Sequence, residues 1–324
     1  MSSPVSTTTR KGVPVAGGDS RRLSNPERQK LAALPIRKRL SAMQWISYVV
    51  AVYVGLVLIE QLAFNPNWQW GTVGDYLFSN LVLKGLFNTI YLTVLTTFFG
   101  LVIGCLVAWC RMSKMVVPRT FALIYIWIMR AMPPLVMLLL IFFLAALIPT
   151  LSIGIPFGPS IFGVPANSVI SQFSAAIIGL SAYLGSYAAE IIRGGVLSLN
   201  PGQAEACKAL GLSPLKAYRK VLGPQVVRNI TPAMANEIIT LFKNTSLVSV
   251  IGYTELLTTV QNVYAVTFET IPMLTVAVIW YLALTSLAMV GQSLLERRFG
   301  RGFSRRKTSG TKTVPALAAE GVVK

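Results

Sequence analysis

Two sets of residues could do work that folding alone does not require. The first is made of charged and polar groups inside apolar stretches: Arg130, just ahead of Pro133-Pro134, and the run Lys243-Asn244-Thr245-Ser246. A charge at the centre of a bilayer costs on the order of 2.5–3.5 kcal/mol on insertion scales, so such groups turn to a partner or to a wet path through the protein. The second is the polar segment Gln203-Ala204-Glu205-Ala206-Cys207-Lys208-Ala209-Leu210-Gly211, followed by Ser213-Pro214 and Gly223-Pro224. Good helix formers closed by Gly211 predict one short helix. Ser213 as N-cap with Pro214 at the first helical position predicts a second, running to about Leu222 and ended by Gly223-Pro224. On the first helix Ala206, Ala209 and Leu210 share a face by the three-and-four spacing. That face either packs on the chain's own helices, with Glu205 and Lys208 as a weak exposed pair, or docks a cytoplasmic partner and passes on its motion.

Other chemistry is excluded. The chain has no histidine, which removes Ser-His-Asp and Cys-His catalysis, histidine metal sites and histidine pH switches. Cys105, Cys110 and Cys207 form neither a CxxC pair nor a zinc spacing; Cys105 and Cys110 read as small buried hydrophobes. No GxxxxGK[ST] loop is present, so the chain does not itself bind ATP by that device.

The elements that must position these residues follow from composition. Only 12% of the 324 residues are charged and 54% are apolar, against roughly 25% charged in a soluble domain. Six apolar stretches, 46–63, 86–109, 120–148, 170–192, 238–257 and 274–294, each come near the ~20 residues a helix needs to cross hydrocarbon. The third holds the proline pair and is expected to tilt or kink. The fifth is the least apolar, because it carries Lys243 to Ser246. The expected fold is therefore all-α: a polytopic membrane protein with six transmembrane helices.

The net charge of +18 does not point to nucleic acid, because its positions alternate. Nine Lys/Arg lie in residues 1–45, three in 110–119, six in 193–235 and eight from 297 onward, so that 26 of 29 fall on one side of a six-span chain. The connections 64–85, 149–169 and 258–273 hold only Lys84. Positive residues stay on the cytoplasmic face, which puts both termini there. Residues 1–45 read as a disordered basic tail without a cleavable signal, in which Arg37-Lys38-Arg39 suits anionic lipid; 298–324 is a second basic tail. The outer segment 149–169 has four prolines and no charge and is expected to be a short, stiff cap.

Individual charges can then be placed. Arg130 falls roughly 15 Å into its span and should face the protein interior, either holding a carbonyl freed by the proline pair or lining a path. Lys243 falls about 8 Å deep, as an interface anchor or a partner for Glu237, or else, with Asn244, Thr245 and Ser246, as part of a wet path or its gate. Glu190 is expected to pair locally with Arg193. Glu60 and Glu255, near outer ends of spans, are expected to be hydrated.

Glu205-Ala206-Cys207, Gly211, Val221 and Pro224 resemble the signature cytoplasmic loop of ABC-importer permeases. Cys207, Val221 and Gly223 stand where that pattern has Ala, Ile and Leu. The flanks Tyr187-Ala188-Ala189-Glu190-Ile191-Ile192-Arg193-Gly194-Gly195-Val196, Pro201-Gly202-Gln203 and Lys243-Asn244-Thr245-Ser246-Leu247, with Arg130-Ala131-Met132-Pro133 in the third span, are similar to the polar-amino-acid branch of that family. The resemblance covers about 84–297. It implies a five-span permease domain there, with its ATPase-coupling loop at 193–235, and makes 46–63 an added N-terminal span. It further implies Glu205, Ala206, Ala209, Leu210, Gly211 and Pro224 as the coupling residues, no cofactor in this chain, and ATP with Mg on separate ABC ATPase subunits. An extracytoplasmic amino-acid-binding protein, a second permease copy or sister permease, and the lipid of a bacterial cytoplasmic membrane complete the expected partners. An importer of this kind for another solute, and an ATP-independent carrier or channel, are the rival readings.

Overall fold

The computed structural model describes residues 41–154 and 160–300. The readings made for the two basic tails lie outside the described residues, save 41–45 and 298–300. The chain divides into two units, 1–65 and 66–324. The first holds α1, Ala42–Phe64. It starts at a reciprocal cap in which the Ser41 hydroxyl accepts from the Gln44 N–H and the Gln44 side chain accepts from the Ser41 N–H. Its length and apolar character suit a membrane span.

The second unit begins with a 3-10 turn at Pro66–Trp68. It continues through α2 (Trp70–Leu77), α3 (Asn80–Met112), α4 (Val116–Ala131), α5 (Pro134–Phe142) and α6 (Leu144–Leu147). An antiparallel hairpin of β1 (Thr150–Gly154) and β2 (Ser160–Pro165) follows, then α7 (Ala166–Val169), α8 (Gln172–Leu197), α9 (Pro201–Ala209) and α10 (Pro214–Ala217). A π turn at Tyr218–Leu222 leads into α11 (Gly223–Asn244), a 3-10 turn (Thr245–Ile251), α12 (Leu256–Thr267) and α13 (Thr270–Gly300).

The most extensive packing is α3 along α8, and small residues allow it. A Cβ on Gly104 would stand 2.5 Å from the Ala188 Cβ, and one on Gly100 2.7 Å from the Leu184 side chain. The Tyr125 hydroxyl ties α4 to the same helix by donating to the Ala182 carbonyl at 2.6 Å. Leu92, Leu138, Leu180, Leu184, Leu241 and Val248 meet in the core. On the outside Phe87, Trp109, Trp127 and Leu282 are exposed. Apolar cover on that scale fits hydrocarbon, not water.

Several expectations need correction. Among the described residues, four helices (α1, α3, α8 and α13) are long and apolar enough to cross a membrane, and α4 with α5 would make a fifth although they meet at 108°. The proline pair thus breaks its span rather than kinking it: Pro134 starts α5, and neither proline has an N–H to continue α4. The stretch 238–257 is not one helix but the end of α11, a 3-10 turn and the first turn of α12. The all-α reading misses the hairpin: the 149–169 connection pairs Leu151 with Val164 and Ser152 with Gly163. Gly223-Pro224 does not end a helix. Pro224 sits in the first turn of α11, where its missing N–H is no loss. Cys105 is exposed on α3, Cys110 half-buried, and Cys207 buried.

Candidate functional site

The polar loop 193–235 is built from two short helices and a π turn. Asn200 caps α9 by accepting from the Gly202 N–H at 2.9 Å, with Pro201 in the first turn. The helix ends where Gly211 adopts φ +69°. There the Gly211 N–H donates to the Lys208 carbonyl and the Leu212 N–H to the Cys207 carbonyl, at 2.9 and 3.0 Å. Glycine takes that left-handed conformation without strain. Cys207 is the side chain of α9 that turns inward; Glu205, Ala206, Ala209 and Leu210 face out, Leu210 with 78% of its surface exposed. Among the described residues the predicted face therefore does not pack on the chain's own helices, and no Glu205–Lys208 ion pair forms.

The second short helix starts at Ser213 as expected, though no side-chain cap bond forms there. It then widens into the π turn, in which the Gly223 N–H reaches back to the Tyr218 carbonyl. A Cβ on Gly223 would lie 2.6 Å from that carbonyl oxygen, so the turn leaves no room for a side chain there. Gly223→Ala is expected to lower stability by about 1–3 kcal/mol, because the obstructing atom belongs to the backbone and cannot swing aside. A melting temperature in detergent equal to wild type would show that the turn relaxes without strain. Where the loop rejoins the bundle, the Asn229 amide donates to the Ser198 hydroxyl at 2.9 Å and ties the start of α11 to the end of α8.

The second candidate set divides. Lys243 and Ser246 line one cavity of about 540 Å³, facing Leu257, Leu274, Tyr281 and Thr285. Lys243 is exposed and makes no ion pair with Glu237 or any other described residue. Thr245 is buried and donates to the Phe242 carbonyl at 2.6 Å, so it closes the helix instead of facing the cavity. Asn244 is half-buried. Arg130 does not enter the interior. It ends α4 beside the break and stays exposed on the single chain, its guanidinium 5.0 Å from the centre of the Tyr187 ring. The cause is the 108° turn, which leaves the last turn of α4 on the flank.

Glu190 and Arg193 pair as the spacing predicts, with Arg193 Nη2 2.7 Å from Glu190 Oε2; Arg111 of α3 comes within 3.9 Å of the same carboxylate. Two acidic residues were misjudged in sequence. Glu255 is fully buried, not hydrated: it caps α12 and accepts from the Tyr281 hydroxyl. No local signal marked it, because glutamate is not among the usual N-cap residues. Glu237, read only as a partner for Lys243, has a buried Oε1 that accepts no hydrogen bond among the described residues.

Residues 100–301 match the family described as Binding-protein-dependent transport system inner membrane component. The arginine transport system permease protein ArgU of Corynebacterium glutamicum is 35% identical over 283 residues, 86% of this chain and 87% of its own length. That match is too long to leave residues 1–64 out, so α1 lies at least partly within it. The arginine transport system permease protein ArtQ of Bacillus subtilis is 30% identical over 214 residues, 66% of this chain and 90% of its own. A crystal structure of an amino acid ABC transporter with histidines is 34% identical, with a TM-score of 0.57, over 67% of this chain and 94% of that one. An inward-facing structure of the MetNI methionine ABC transporter, 22% identical with a TM-score of 0.50 over 68% of this chain and 96% of that one, is alike in fold.

Proposed function

Because the chain belongs to the inner membrane components of binding-protein-dependent transport systems, we propose that it is the permease subunit of an ATP-driven importer for a polar amino acid. The carrying observation is α9: a short, capped helix whose Glu205, Ala206, Ala209 and Leu210 are all presented outward. Such a face is left uncovered by the described residues and suits the groove of a motor protein. ABC ATPase subunits, holding ATP and Mg, would seat there and move α9. Gly211 and the π turn before Pro224 would hand that motion to α11, which carries Lys243 at its end. The bundle would then expose its cavity to one side and the other in turn, a shift that nucleotide drives only if the ATPase grips the two states differently.

In the same reading the chain crosses a bacterial cytoplasmic membrane six times with both termini inside. It pairs with a second copy or a sister permease and receives solute from an extracytoplasmic binding protein. Residues 84–297 are the permease domain and α1 an added span. Lys243, Asn244 and Ser246, with Thr245 buried behind them, are its path residues, and Arg130, on the exposed flank, joins the path where a second permease closes against it. The arginine relatives support a cationic solute, and so does Glu237, whose free carboxylate oxygen would suit a positive side chain.

Uptake of labelled arginine, lysine and glutamine into vesicles that hold the chain, its ATPase and its binding protein tests this with and without ATP. ATP-dependent accumulation of at least one of them is expected; uptake that ignores ATP would overturn the proposal. In the same vesicles Arg130→Met and Lys243→Met are each expected to slow uptake about tenfold, the scale of one lost interaction of a charged group. Wild-type rates at normal protein levels would remove that residue from the path.

A further inference from the structure

We infer that Glu255 is a positioning residue for transport: through the Tyr281 hydroxyl it fixes the aromatic wall of the cavity that Lys243 and Ser246 face. The inference rests on reading that cavity as part of the path.

Glu255 is fully buried, yet forms no ion pair among the described residues. Its carboxylate meets one N–H and three hydroxyls, of Tyr281, Thr89 and Thr258. Oε1 accepts from the Thr258 N–H at 2.8 Å, in the first turn of α12. Oε2 accepts from the Tyr281 hydroxyl of α13 at 2.8 Å and lies 3.2 Å from the Thr89 hydroxyl of α3. The Thr89 oxygen in turn accepts from the Leu256 N–H at 3.0 Å. One carboxylate thus joins α3, the start of α12 and α13. Glutamine in its place would keep the shape but, with its oxygen on the Thr258 N–H, would turn its N–H2 toward the two hydroxyls; Tyr281 would then have to accept, and its buried proton would lose the carboxylate it donates to.

Tyr281 carries the consequence to the cavity. Its ring lines the 540 Å³ space opposite Lys243 and packs on Phe242, ring centres 5.7 Å apart. While its hydroxyl is held by Glu255, the wall offers an aromatic face instead of a donor. Glu255 itself does not line the cavity, so any effect it has on passage must run through Tyr281.

The test uses the whole transporter in vesicles. Glu255→Gln is expected to cut uptake per assembled transporter about tenfold, the scale of one unsatisfied buried group, and to raise the ATP hydrolysed per solute moved by a similar factor. Tyr281→Phe should do the same, and the double variant should be no worse than either. A purely structural role would reduce the amount of assembled protein without changing ATP per solute, and would overturn the inference, as would a double variant whose losses multiply. A transport-independent reading is the infrared band of the Tyr281 hydroxyl, isolated as a difference against Tyr281→Phe. It must shift between wild type and Glu255→Gln, and an unshifted band overturns the inference alone. If the Gln variant does not assemble, Glu255→Asp, which withdraws the acceptor by one methylene, gives the same readings. Absence of ATP-driven uptake in wild type would count against the importer reading, and the band would still decide the positioning role.

Discussion

Vesicles carrying Glu205→Lys are expected to take up no solute above background, while the protein stays in the membrane at wild-type level. Glu205 is exposed in the middle of α9 and has no ion pair among the described residues. Surface changes of this kind usually alter stability by no more than about 0.5 kcal/mol. The local field, in contrast, changes greatly: Lys208, Lys216, Arg219 and Lys220 already crowd the loop. Reversing its one acidic side chain sets like charge against whatever basic group the partner offers, which costs several kcal/mol at a docked surface. Co-purification of the ATPase should be lost together with uptake. Gly211→Pro should give the same result by a different route, since proline fixes φ near −65° and the turn after α9 needs +69°. Undiminished ATP-driven uptake in either variant would remove α9 from the coupling.

The largest expected loss of stability lies elsewhere. Gly104→Leu should prevent the bundle from forming. The first added carbon alone would stand 2.5 Å from the Ala188 Cβ and 3.3 Å from the Gly185 carbonyl oxygen, both on α8. Neither a Cβ nor a backbone oxygen can rotate away, so α3 and α8 would have to separate along the most extensive contact in the fold. Overpacking of a well-filled core costs about 1–3 kcal/mol even where side chains give, and more where backbone obstructs. The measurement is the amount of protein in the membrane fraction, with Gly291→Leu as control: Gly291 has nothing within 4 Å of where its Cβ would stand. Equal recovery of the two variants would contradict the packing argument.

Much of the loop 193–235 was legible because its signals are local. The Gly211 stop of α9 depends on a few adjacent residues and holds in three dimensions; the Asn200-Pro201 start is as local, but the sequence reading begins the helix at Gln203. The Glu190–Arg193 pair is legible for the same reason, being one turn of helix apart. The α4–α5 break was visible as a proline pair, but not its size. Two prolines read as a tilt or kink of one span; that they end α4, and that the pieces stand at 108°, depends on what α5 packs against, here α8 and the Thr245–Ile251 turn.

The sequence by itself determined that this is a multi-span membrane protein, where its basic groups cluster, and that a short helix sits around Ala206; that its face turns outward came from the structure. Each of these follows from composition or from contacts within a turn or two. Only the tertiary structure decided which members of the polar run face the cavity, that Arg130 rests on Tyr187 at the flank, and that Glu255 is enclosed. Those outcomes depend on neighbours distant in the chain: Thr89 lies 166 residues from Glu255 and Tyr281 lies 26 away. A carboxylate near the end of an apolar stretch looks hydrated until helices carrying hydroxyl donors close around it, and no local pattern encodes which helices those are.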